Sequence, residues 1–583
     1  MPKVGSLLAS KASLSGSHLT FMPTKGERGY SLALTLLLIM PIVFGVIAVA
    51  LGQDANWDLR NYHWYNAYAL LNGRFGADWL PSQTPWFYNP ALDVPYYILA
   101  THVPARVAAF ALGIVQGLNF IPLFMLAHAS LRVPNPRHKI WICAALAMLG
   151  MLGGGGIALL GTTFYDNVTS LGIFASALLV LRYAPEFLGQ TAFQSIERHA
   201  NDSSKQTKKT TQFIVTLRAL GLALLCGIPA GIMMGLKLPS VVFCVGLCGA
   251  IFLAGGPFAK RVTASAAFGL GVLIGVAISL GPWALHLQKE FGSPLFPYFN
   301  EIFRSPLAPL TSARDTQFVP NKIYDYLAFP FILIDHPRRA GEIDWRDLRL
   351  PVLYILLPVA VCARLAFGRS KAKPDNMAEP YAMRFLLWLA VLSYAVWLVM
   401  FSIYRYAVPL EMLAPLLIAL TTSMLPVKTG TRSQIALFLL VVIAATIQPG
   451  DWRHRKEWLD RVVEADIPPI ENSGKAMILM AGFEPYSHLV TQFPQDAKFV
   501  RIQSNFASPD QDKGINKILH KAVESHKGDY LILIPPYQHG LAQEALSYYK
   551  LSASWKDCRK VIDKLYDNAE FHLCPVRRVT IKR

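Results

Sequence analysis

Long runs of apolar residues recur along the first 450 residues of the chain, and most of them are separated by short polar segments. The runs cover approximately 31–52, 106–131, 140–160, 164–183, 213–236, 238–255, 263–284, 351–367, 384–402, 407–425 and 434–448. A helix needs about 20 apolar residues to cross the hydrocarbon core of a bilayer. The pattern therefore predicts a polytopic α-helical membrane protein with about eleven membrane-spanning helices.

The chain changes character after position 450, where the long apolar runs end. Short apolar segments at 476–481 and 530–534 have the length of strands, and the stretch 513–525 has a helical pattern. This alternation predicts a small C-terminal α/β domain. The predicted organisation is therefore an N-terminal segment (1–30), a membrane domain (31–450) and a C-terminal domain (451–583).

The amino-acid composition supports a membrane protein and argues against a soluble one. Hydrophobic residues make up 53% of the chain and charged residues only 16%, whereas soluble domains carry about 25% charged residues. The formal net charge is +18, which could indicate a nucleic-acid partner. The Lys and Arg residues collect in short loops between apolar runs, however, so they indicate membrane orientation, and we expect no nucleic-acid binding.

The distribution of basic residues predicts which way the chain crosses the membrane. With the N-terminus in the cytoplasm, the inside segments hold Lys3, Lys11, Lys25, Arg28, Arg132, Arg137, Lys139, Arg198, Lys205, Lys208, Lys209, Lys260, Arg261, Arg369, Lys371, Lys373, Arg384, Lys428 and Arg432. Apart from the segment 285–350 and the C-terminal domain, the outside segments hold only Arg60, Arg74, Lys237 and Arg405. Cytoplasmic loops carry the excess of Lys and Arg. We therefore expect a bacterial inner-membrane protein whose first 30 residues are cytoplasmic and whose C-terminal domain is periplasmic.

The seven cysteines fall into two groups. Five lie in apolar runs: Cys143, Cys226, Cys244, Cys248 and Cys362. The other two, Cys558 and Cys574, flank a polar stretch near the end of the chain. Disulfides form outside the cytoplasm, so a periplasmic C-terminal domain predicts a disulfide between Cys558 and Cys574.

Two long loops, at about 53–105 and 285–350, lie on the predicted outside face and are candidates for function. In the first loop, Tyr62, Tyr65, Ala69 and Leu70 recur at helical spacing, and Gly73 follows as a natural end. This pattern predicts a helix over 59–72. Because Trp and Tyr are favoured at bilayer surfaces, we expect this helix to lie along the membrane interface.

Ionisable residues from distant parts of the chain emerge on this same face, and such residues at membrane edges tend to be functional. They are Asp54, Asp58, His63, Asp93, Asp166, Lys237, Arg405 and Glu411. Carboxylates and cations on one face suit a reaction with an anionic, membrane-embedded substrate. Structural alternatives stay open: Asp58 as a helix cap, Lys237 as a snorkelling lysine, and Arg405 with Glu411 as a structural ion pair.

Several short segments occur in an order that resembles one enzyme superfamily. Asp58 and Tyr62 are four residues apart, Gly73 follows them, and the tripeptide 79–81 reads Trp-Leu-Pro. Asn89 then opens the segment Asn-Pro-Ala-Leu, 292–297 reads Gly-Ser-Pro-Leu-Phe-Pro, and 404–406 reads Tyr-Arg-Tyr. Together they resemble the GT-C glycosyltransferases, polytopic enzymes that use polyprenyl-phosphate sugars, and among them the lipid A aminoarabinose transferases and protein O-mannosyltransferases. Leu59 replaces the second acid of the family's Asp-Glu-x-x-Tyr motif, and Asn89 replaces a lysine.

The resemblance implies sugar transfer from a polyprenyl-phosphate donor to a glycan, lipid or protein acceptor, with the isoprenoid in an apolar groove between spans. Asp58 would be the general base or would orient the acceptor, and Asp166 would orient the acceptor or a cation. The residues expected to bind substrate are Arg60, Tyr62, His63, Asn89, Lys237, Arg405, Tyr406 and Glu411. Of these, Lys237, Arg405 and Arg60 would offset charge on the leaving phosphate. Metal use stays open; Asp58 and Asp166 are the candidate ligands for a divalent cation such as Mg²⁺ or Mn²⁺.

Other functions are compatible with the same pattern. A flippase or transporter for lipid-linked sugars would explain the spans, although such proteins favour inverted repeats and broken helices, and the sequence shows no clear repeat. A polysaccharide polymerase or ligase would also face outward. A non-catalytic scaffold could use the C-terminal domain to bind an envelope partner.

Overall fold

The computed structural model describes residues 19–27, 29–189, 205–311, 315–367, 377–511 and 513–579. Its helices before the C-terminal domain are, in chain order, α1 (Tyr30–Leu51), α2 (Trp64–Leu71), α3 (Val94–His102), α4 (Ala105–Gly117), α5 (Phe120–Ser130), α6 (Pro136–Met151), α7 (Asp166–Phe187), α8 (Lys205–Leu236), α9 (Val241–Leu253), α10 (Phe258–Phe291), α11 (Asn300–Phe303), α12 (Ile323–Asp335), α13 (Arg338–Gly341), α14 (Arg349–Phe367), α15 (Pro380–Met400), α16 (Val408–Thr422) and α17 (Thr429–Thr446).

Eight helical segments among the described residues are long and apolar enough to cross a bilayer. They are α1, α4 with α5, α7, the part of α8 from Gln212 to Leu236, α10, α14, α15 and α17. The other predicted runs hold the shorter helices α6, α9 and α16. The run predicted over 140–160 is wrong at its end, since α6 stops at Met151 before four consecutive glycines at 153–156. The chain is therefore a helical membrane protein.

Part of the predicted orientation signal falls outside the described residues. This holds for most of the segment 1–30 and for Lys3, Lys11, Arg28, Arg198, Arg369, Lys371 and Lys373. The two long loops and the C-terminal region nevertheless lie at one end of the helices. The amide of Ile515 in the C-terminal region donates to the carbonyl of Leu307 in the second loop, and Trp79 of the first loop bridges to Val500.

The C-terminal region contains a mixed sheet, in agreement with the predicted α/β character. After the short strands β1 (Gln53–Asp54) and β2 (His454–Arg455), which pair with each other, the elements are β3 (Ala465–Asp466), β4 (Ala476–Met480), β5 (Lys498–Arg501), α18 (Ile515–Ser525), β6 (Asp529–Ile534), α19 (His539–Tyr548), β7 (Leu551–Ala553), β8 (Arg559–Asp563) and β9 (Ala569–Arg578). The sheet order is β3-β8-β9-β6-β4-β5, and β7 also pairs with β9. Strands β4, β5 and β6 are parallel, whereas β9 runs antiparallel to β6 and β8.

The predicted helix over 59–72 forms in two parts. Residues Leu59–His63 form a π-helical turn, α2 continues from it, and Gly73 adopts a left-handed φ of 63° after its end. The C-terminal region packs against this helix, and its position along the membrane surface stays a prediction. Residues 64–69 are buried, and the indole N–H of Trp64 donates to Thr491 Oγ1 at 3.1 Å. The first loop and the C-terminal sheet therefore share one apolar core, which joins Tyr65 and Trp86 to Ile478 and Leu533.

Candidate functional site at the end of the membrane helices

Asp58 lies just before the π-helical turn, but its side chain does not cap that turn. Asn56 takes the capping role, because its Oδ1 accepts the backbone N–H of Leu59 at 2.8 Å. The Asp58 carboxylate instead accepts a hydrogen bond from Arg405 Nη1 at 2.6 Å and one from the Tyr62 hydroxyl at 3.2 Å. The helix-cap alternative for Asp58 is therefore wrong, and the carboxylate is directed at the end of the helical bundle.

Arg405 belongs to the short turn between α15 and α16. Its guanidinium lies 4.6 Å from the ring centroid of Phe164 and 5.3 Å from that of Tyr406. Contact with the aromatic faces adds cation–π stabilisation to the ion pair with Asp58. The competing pairing of Arg405 with Glu411 is wrong, because Glu411 accepts the backbone N–H groups of Gly155 and Gly156 and the hydroxyl of Tyr404.

Lys237 and Asp166 form a second buried ion pair beside the first. Lys237 Nζ lies 2.8 Å from Asp166 Oδ2 and also donates to the carbonyl of Phe164. The lysine side chain is only 13% exposed, so it does not snorkel towards water. The ammonium also lies 5.6 Å from the Tyr406 ring centroid. Because Phe164 and Tyr406 contact both cations, the two ion pairs form one cluster.

A histidine–carboxylate pair, His63 with Asp93, lies next to the two ion pairs and contacts them through Tyr62. His63 Nδ1 lies 2.6 Å from Asp93 Oδ1, while His63 Nε2 is buried and has no hydrogen-bond partner. The imidazole lies 4.0 Å from the Tyr62 ring and meets the ring of Tyr165 edge-on. An Asp-oriented imidazole with its other nitrogen unpaired can bind or transfer a proton.

The second long loop reaches the cluster through tyrosines. The Tyr88 and Tyr298 hydroxyls lie 2.8 Å apart, and the Tyr88 ring meets Tyr62 edge-on. The sequence offered no signal for these contacts, because Tyr88 and Tyr298 lie in different loops 210 residues apart. The site therefore draws on both loops as well as on four helix ends.

The pKa values of the carboxyl groups outside the spans follow from burial and neighbouring charge. Burial raises the pKa of Asp58, but Arg405, His63 and Lys237 outweigh it, so the net pKa lies below the ordinary value. For Asp93 burial dominates over the opposing effect of His63, and its pKa is raised. Burial also raises the pKa of Glu342, near Arg405. Asp58 is therefore an ionised, paired carboxylate near neutral pH.

The arrangement does not fit a divalent cation held by Asp58 and Asp166. Each carboxylate is paired with a cationic side chain, Arg405 or Lys237, within hydrogen-bond distance. Many metal sites in proteins are held by three or more side chains. Among the described residues, neither Asp58 nor Asp166 belongs to such a group of His, Cys, Asp or Glu side chains with donor atoms close enough to share an ion. The cluster is thus charge-balanced by protein groups alone.

Three of the predicted site residues lie apart from the cluster. Arg60 points into the C-terminal region, with its guanidinium 3.7 Å from the Tyr566 ring centroid. Asn89 donates to the carbonyls of Gly235 and Ser279, and so ties the first loop to α8 and α10. Glu411 belongs to a separate buried group with Asp347 and Arg349, which fixes the glycines at 153–156.

The cluster is closely packed. The cavity beside Asp166 and Tyr406 has a volume of about 10 Å³. A much larger groove, of about 1030 Å³, lies on the C-terminal sheet beside His526 and Arg578, but it is open and contains none of the residues of the ion-pair cluster. The buried cluster is the better candidate site, because ionisable side chains at the ends of membrane helices are costly to bury and tend to be functional.

Cys558 and Cys574 are joined as a disulfide. No protein-family model, no curated protein and no solved structure matches the chain.

Proposed function

We propose that this protein is a GT-C-type glycosyltransferase that moves a sugar from a polyprenyl-phosphate donor to a cell-envelope acceptor at the periplasmic face. The observation that supports this proposal is the convergence of Asp58, Arg405, Lys237 and Asp166 at one end of the helices. This end lies between apolar spans and a polar domain. A substrate with an isoprenoid tail and a charged head group needs that combination of surroundings.

The donor phosphate would bind by exchanging partners with the buried carboxylates. Arg405 and Lys237 are the cations of the cluster, and Arg suits phosphate oxygens because of its planar array of donors. A phosphate bound to Arg405 competes with Asp58 for the guanidinium. Asp58 would then lose the interaction that lowers its pKa, so donor binding would make this carboxylate a stronger base.

The transfer step then needs few groups. Asp58 takes the proton from an acceptor hydroxyl, and the acceptor oxygen bonds to the anomeric carbon of the sugar. The bond from that carbon to the phosphate oxygen breaks, and Arg405 and Lys237 stabilise the negative charge on the leaving polyprenyl phosphate. Tyr62 holds Asp58 in place through its hydroxyl. His63 offers its unpaired Nε2 to a sugar hydroxyl.

Reconstitution into vesicles tests the proposal directly. The purified protein receives a labelled polyprenyl-phosphate sugar and cell-envelope acceptors, and transfer is measured for the wild type and for Asp58→Asn. We expect Asp58→Asn to slow transfer by about 10²- to 10⁴-fold, the usual contribution of a general base. Asp344→Asn is the matched control, because Asp344 is an exposed carboxylate paired with Arg338 in the second loop.

The outcomes separate the alternatives. Unchanged transfer by Asp58→Asn would rule out Asp58 as the base. Movement of the labelled donor across the vesicle membrane, without a glycosidic product, would show that the protein is a transporter and not a glycosyltransferase.

A further inference from the structure

Four side chains with metal-binding atoms meet in the C-terminal domain, away from the site described above. His539 begins α19, Cys558 immediately precedes β8, and His572 and Cys574 lie on β9. One nitrogen or sulfur atom from each residue lies within 4.8 Å of the equivalent atom of all the others. Two histidines and two cysteines are the ligand set of many structural zinc sites.

The strand register explains how the four residues come together. Arg559 pairs with Leu573 in the antiparallel β8–β9 ladder, so Cys558 and Cys574 lie opposite each other as the next pair. His572 is two residues before Cys574 and therefore lies on the same face of β9. His539, the first residue of α19, lies beside this face, with its Nε2 3.0 Å from His572 Nδ1.

Both imidazoles are held with one nitrogen directed into the cluster. The outer nitrogen of His572, Nε2, is 2.9 Å from Glu570 Oε1, which leaves Nδ1 facing His539. The His539 ring stacks on Trp555 with a centroid separation of 4.2 Å. A carboxylate bonded to the outer nitrogen of a ligating histidine is the usual support of a metal site, because it fixes the ring and its tautomer.

We propose that His539, Cys558, His572 and Cys574 form a zinc site that becomes available when a dithiol reductant cleaves the Cys558–Cys574 disulfide. The dithiol supplies two electrons and two protons, so the S–S bond breaks, two thiols form, and the dithiol becomes a disulfide. Zn²⁺ then binds two thiolates and two neutral imidazoles, and two protons leave the thiols.

The existing geometry needs little change to accept the ion. Ligand atoms around tetrahedral Zn²⁺ are separated by about 3.3 to 3.8 Å, given Zn–N and Zn–S bonds of about 2.0 and 2.3 Å. The four donor atoms already lie within 4.8 Å of one another. Once the sulfurs are no longer bonded, side-chain rotation can separate them. The metal would then replace the disulfide as the cross-link between β8 and β9, and would keep the sheet intact under reducing conditions.

The full-length protein in detergent provides the test, with Co²⁺ as the spectroscopic probe and Zn²⁺ as the competitor. After treatment with dithiothreitol and its removal, we expect one Co²⁺ per chain, with sulfur-to-cobalt charge-transfer absorption that Zn²⁺ abolishes. The oxidised protein should show none of this absorption. His539→Gln and His572→Gln keep the disulfide, and each should weaken Co²⁺ binding at least tenfold. His520→Gln is the matched control, since His520 stacks on Tyr549 elsewhere in the domain.

Three results would overturn the site. One is equal Co²⁺ binding before and after reduction. Another is charge-transfer absorption that persists in Cys558→Ser/Cys574→Ser, which would assign the ligands to the membrane cysteines. The third concerns folding: if reduction makes the domain sensitive to trypsin, Zn²⁺ must restore its resistance in the wild type and not in His539→Gln. Failure to restore it refutes the proposal.

Discussion

At the scale of single residues, the candidate site consists of charges that depend on their partners. Lys237 and Asp166 are 13% and 5% exposed in their side chains, so each would be costly to bury alone. We expect Lys237→Met to lower the free energy of unfolding by about 3 kcal/mol, because it leaves the Asp166 carboxylate buried without its cation. The double variant Lys237→Met/Asp166→Asn should lose less than the single one. Thermal unfolding in detergent measures both, and a double variant less stable than either single variant would contradict this account.

The same residues show how far sequence reasoning reaches. Charge distribution was enough to predict that Asp58, Lys237 and Arg405 share one face of the membrane domain. The partners were not predictable, because Asp58 and Arg405 are 347 residues apart in sequence. The sequence suggested the nearer Glu411 for Arg405, yet Glu411 is already satisfied by backbone N–H groups of glycines. Local spacing shows where a charge emerges, whereas tertiary packing selects its partner.

At the scale of elements, the four glycines after α6 form a tight backbone segment around a buried carboxylate. A Cβ atom at Gly153 would overlap the Glu411 carboxyl, and Arg349 Nη1 would lie 2.6 Å from it. We therefore expect Gly153→Ala to destabilise the protein by about 1–3 kcal/mol, the usual cost of overpacking a well-packed core. Gly221→Ala is the control, since its added methyl meets nothing within 4 Å in helix α8 and should stabilise by about 0.5–1 kcal/mol. Thermal midpoints that fall equally in both variants would exclude the packing explanation.

The π-helical turn that carries Tyr62 and His63 shows why the sequence could predict a helix here but not its form. Helical spacing of aromatic residues predicts an element over 59–72. The wider turn is accompanied by contacts from far along the chain: Ser487 donates to the carbonyl of Asn61, and His488 Nδ1 lies 3.0 Å from the carbonyl of Arg60. His488 is in turn held by Asp563 at 2.9 Å. A periodicity window of a dozen residues contains none of these partners.

The β1–β2 pair joins the first loop to the C-terminal region, and it contains the buried histidine His454. His454 Nδ1 lies 2.9 Å from Asp451 Oδ1, and Nε2 lies 2.9 Å from the carbonyl of Leu160, so both nitrogens face acceptors. Burial lowers the pKa of His454, but the bonds to Asp451 and Leu160 and the charge of Asp54 outweigh it and raise the net pKa. Protonated His454 therefore stabilises the folded state. This contribution is fully present below the pKa of histidine in the unfolded chain, about 6.5, and is lost as the pH rises through the higher pKa of His454 in the folded state.

Thermal midpoints measured between pH 6 and pH 9 should therefore fall more for the wild type than for His454→Gln, which keeps hydrogen-bonding groups but does not titrate. Asp451 does not contribute in this range, since its hydrogen bonds to His454 lower its pKa to about 2. Identical pH profiles for the two proteins would show that His454 is not charged in the folded state.

At the scale of the whole molecule, the proposed reaction depends on which side of the membrane carries the site. Both long loops and the C-terminal sheet contact each other at one end of the helices, and the positive-inside bias predicts that this end is periplasmic. Lys322 and Glu471 are exposed at this end, whereas Arg137 and Lys428 are exposed near the other. A membrane-impermeant maleimide should therefore label Lys322→Cys and Glu471→Cys in intact spheroplasts.

The same reagent should label Arg137→Cys and Lys428→Cys only after the membrane is permeabilised. The unsubstituted chain, in which Cys362 is exposed, gives the background signal. Labelling of all four positions in intact spheroplasts would indicate that the membrane leaks. A cytoplasmic marker protein that stays unlabelled in the same sample shows that the membrane is intact. The reverse pattern would place the Asp58–Arg405 cluster and the C-terminal cysteines in the cytoplasm. A donor presented in the periplasm could not then reach Arg405, and a disulfide would lack an oxidising compartment, so this single measurement bears on both proposals.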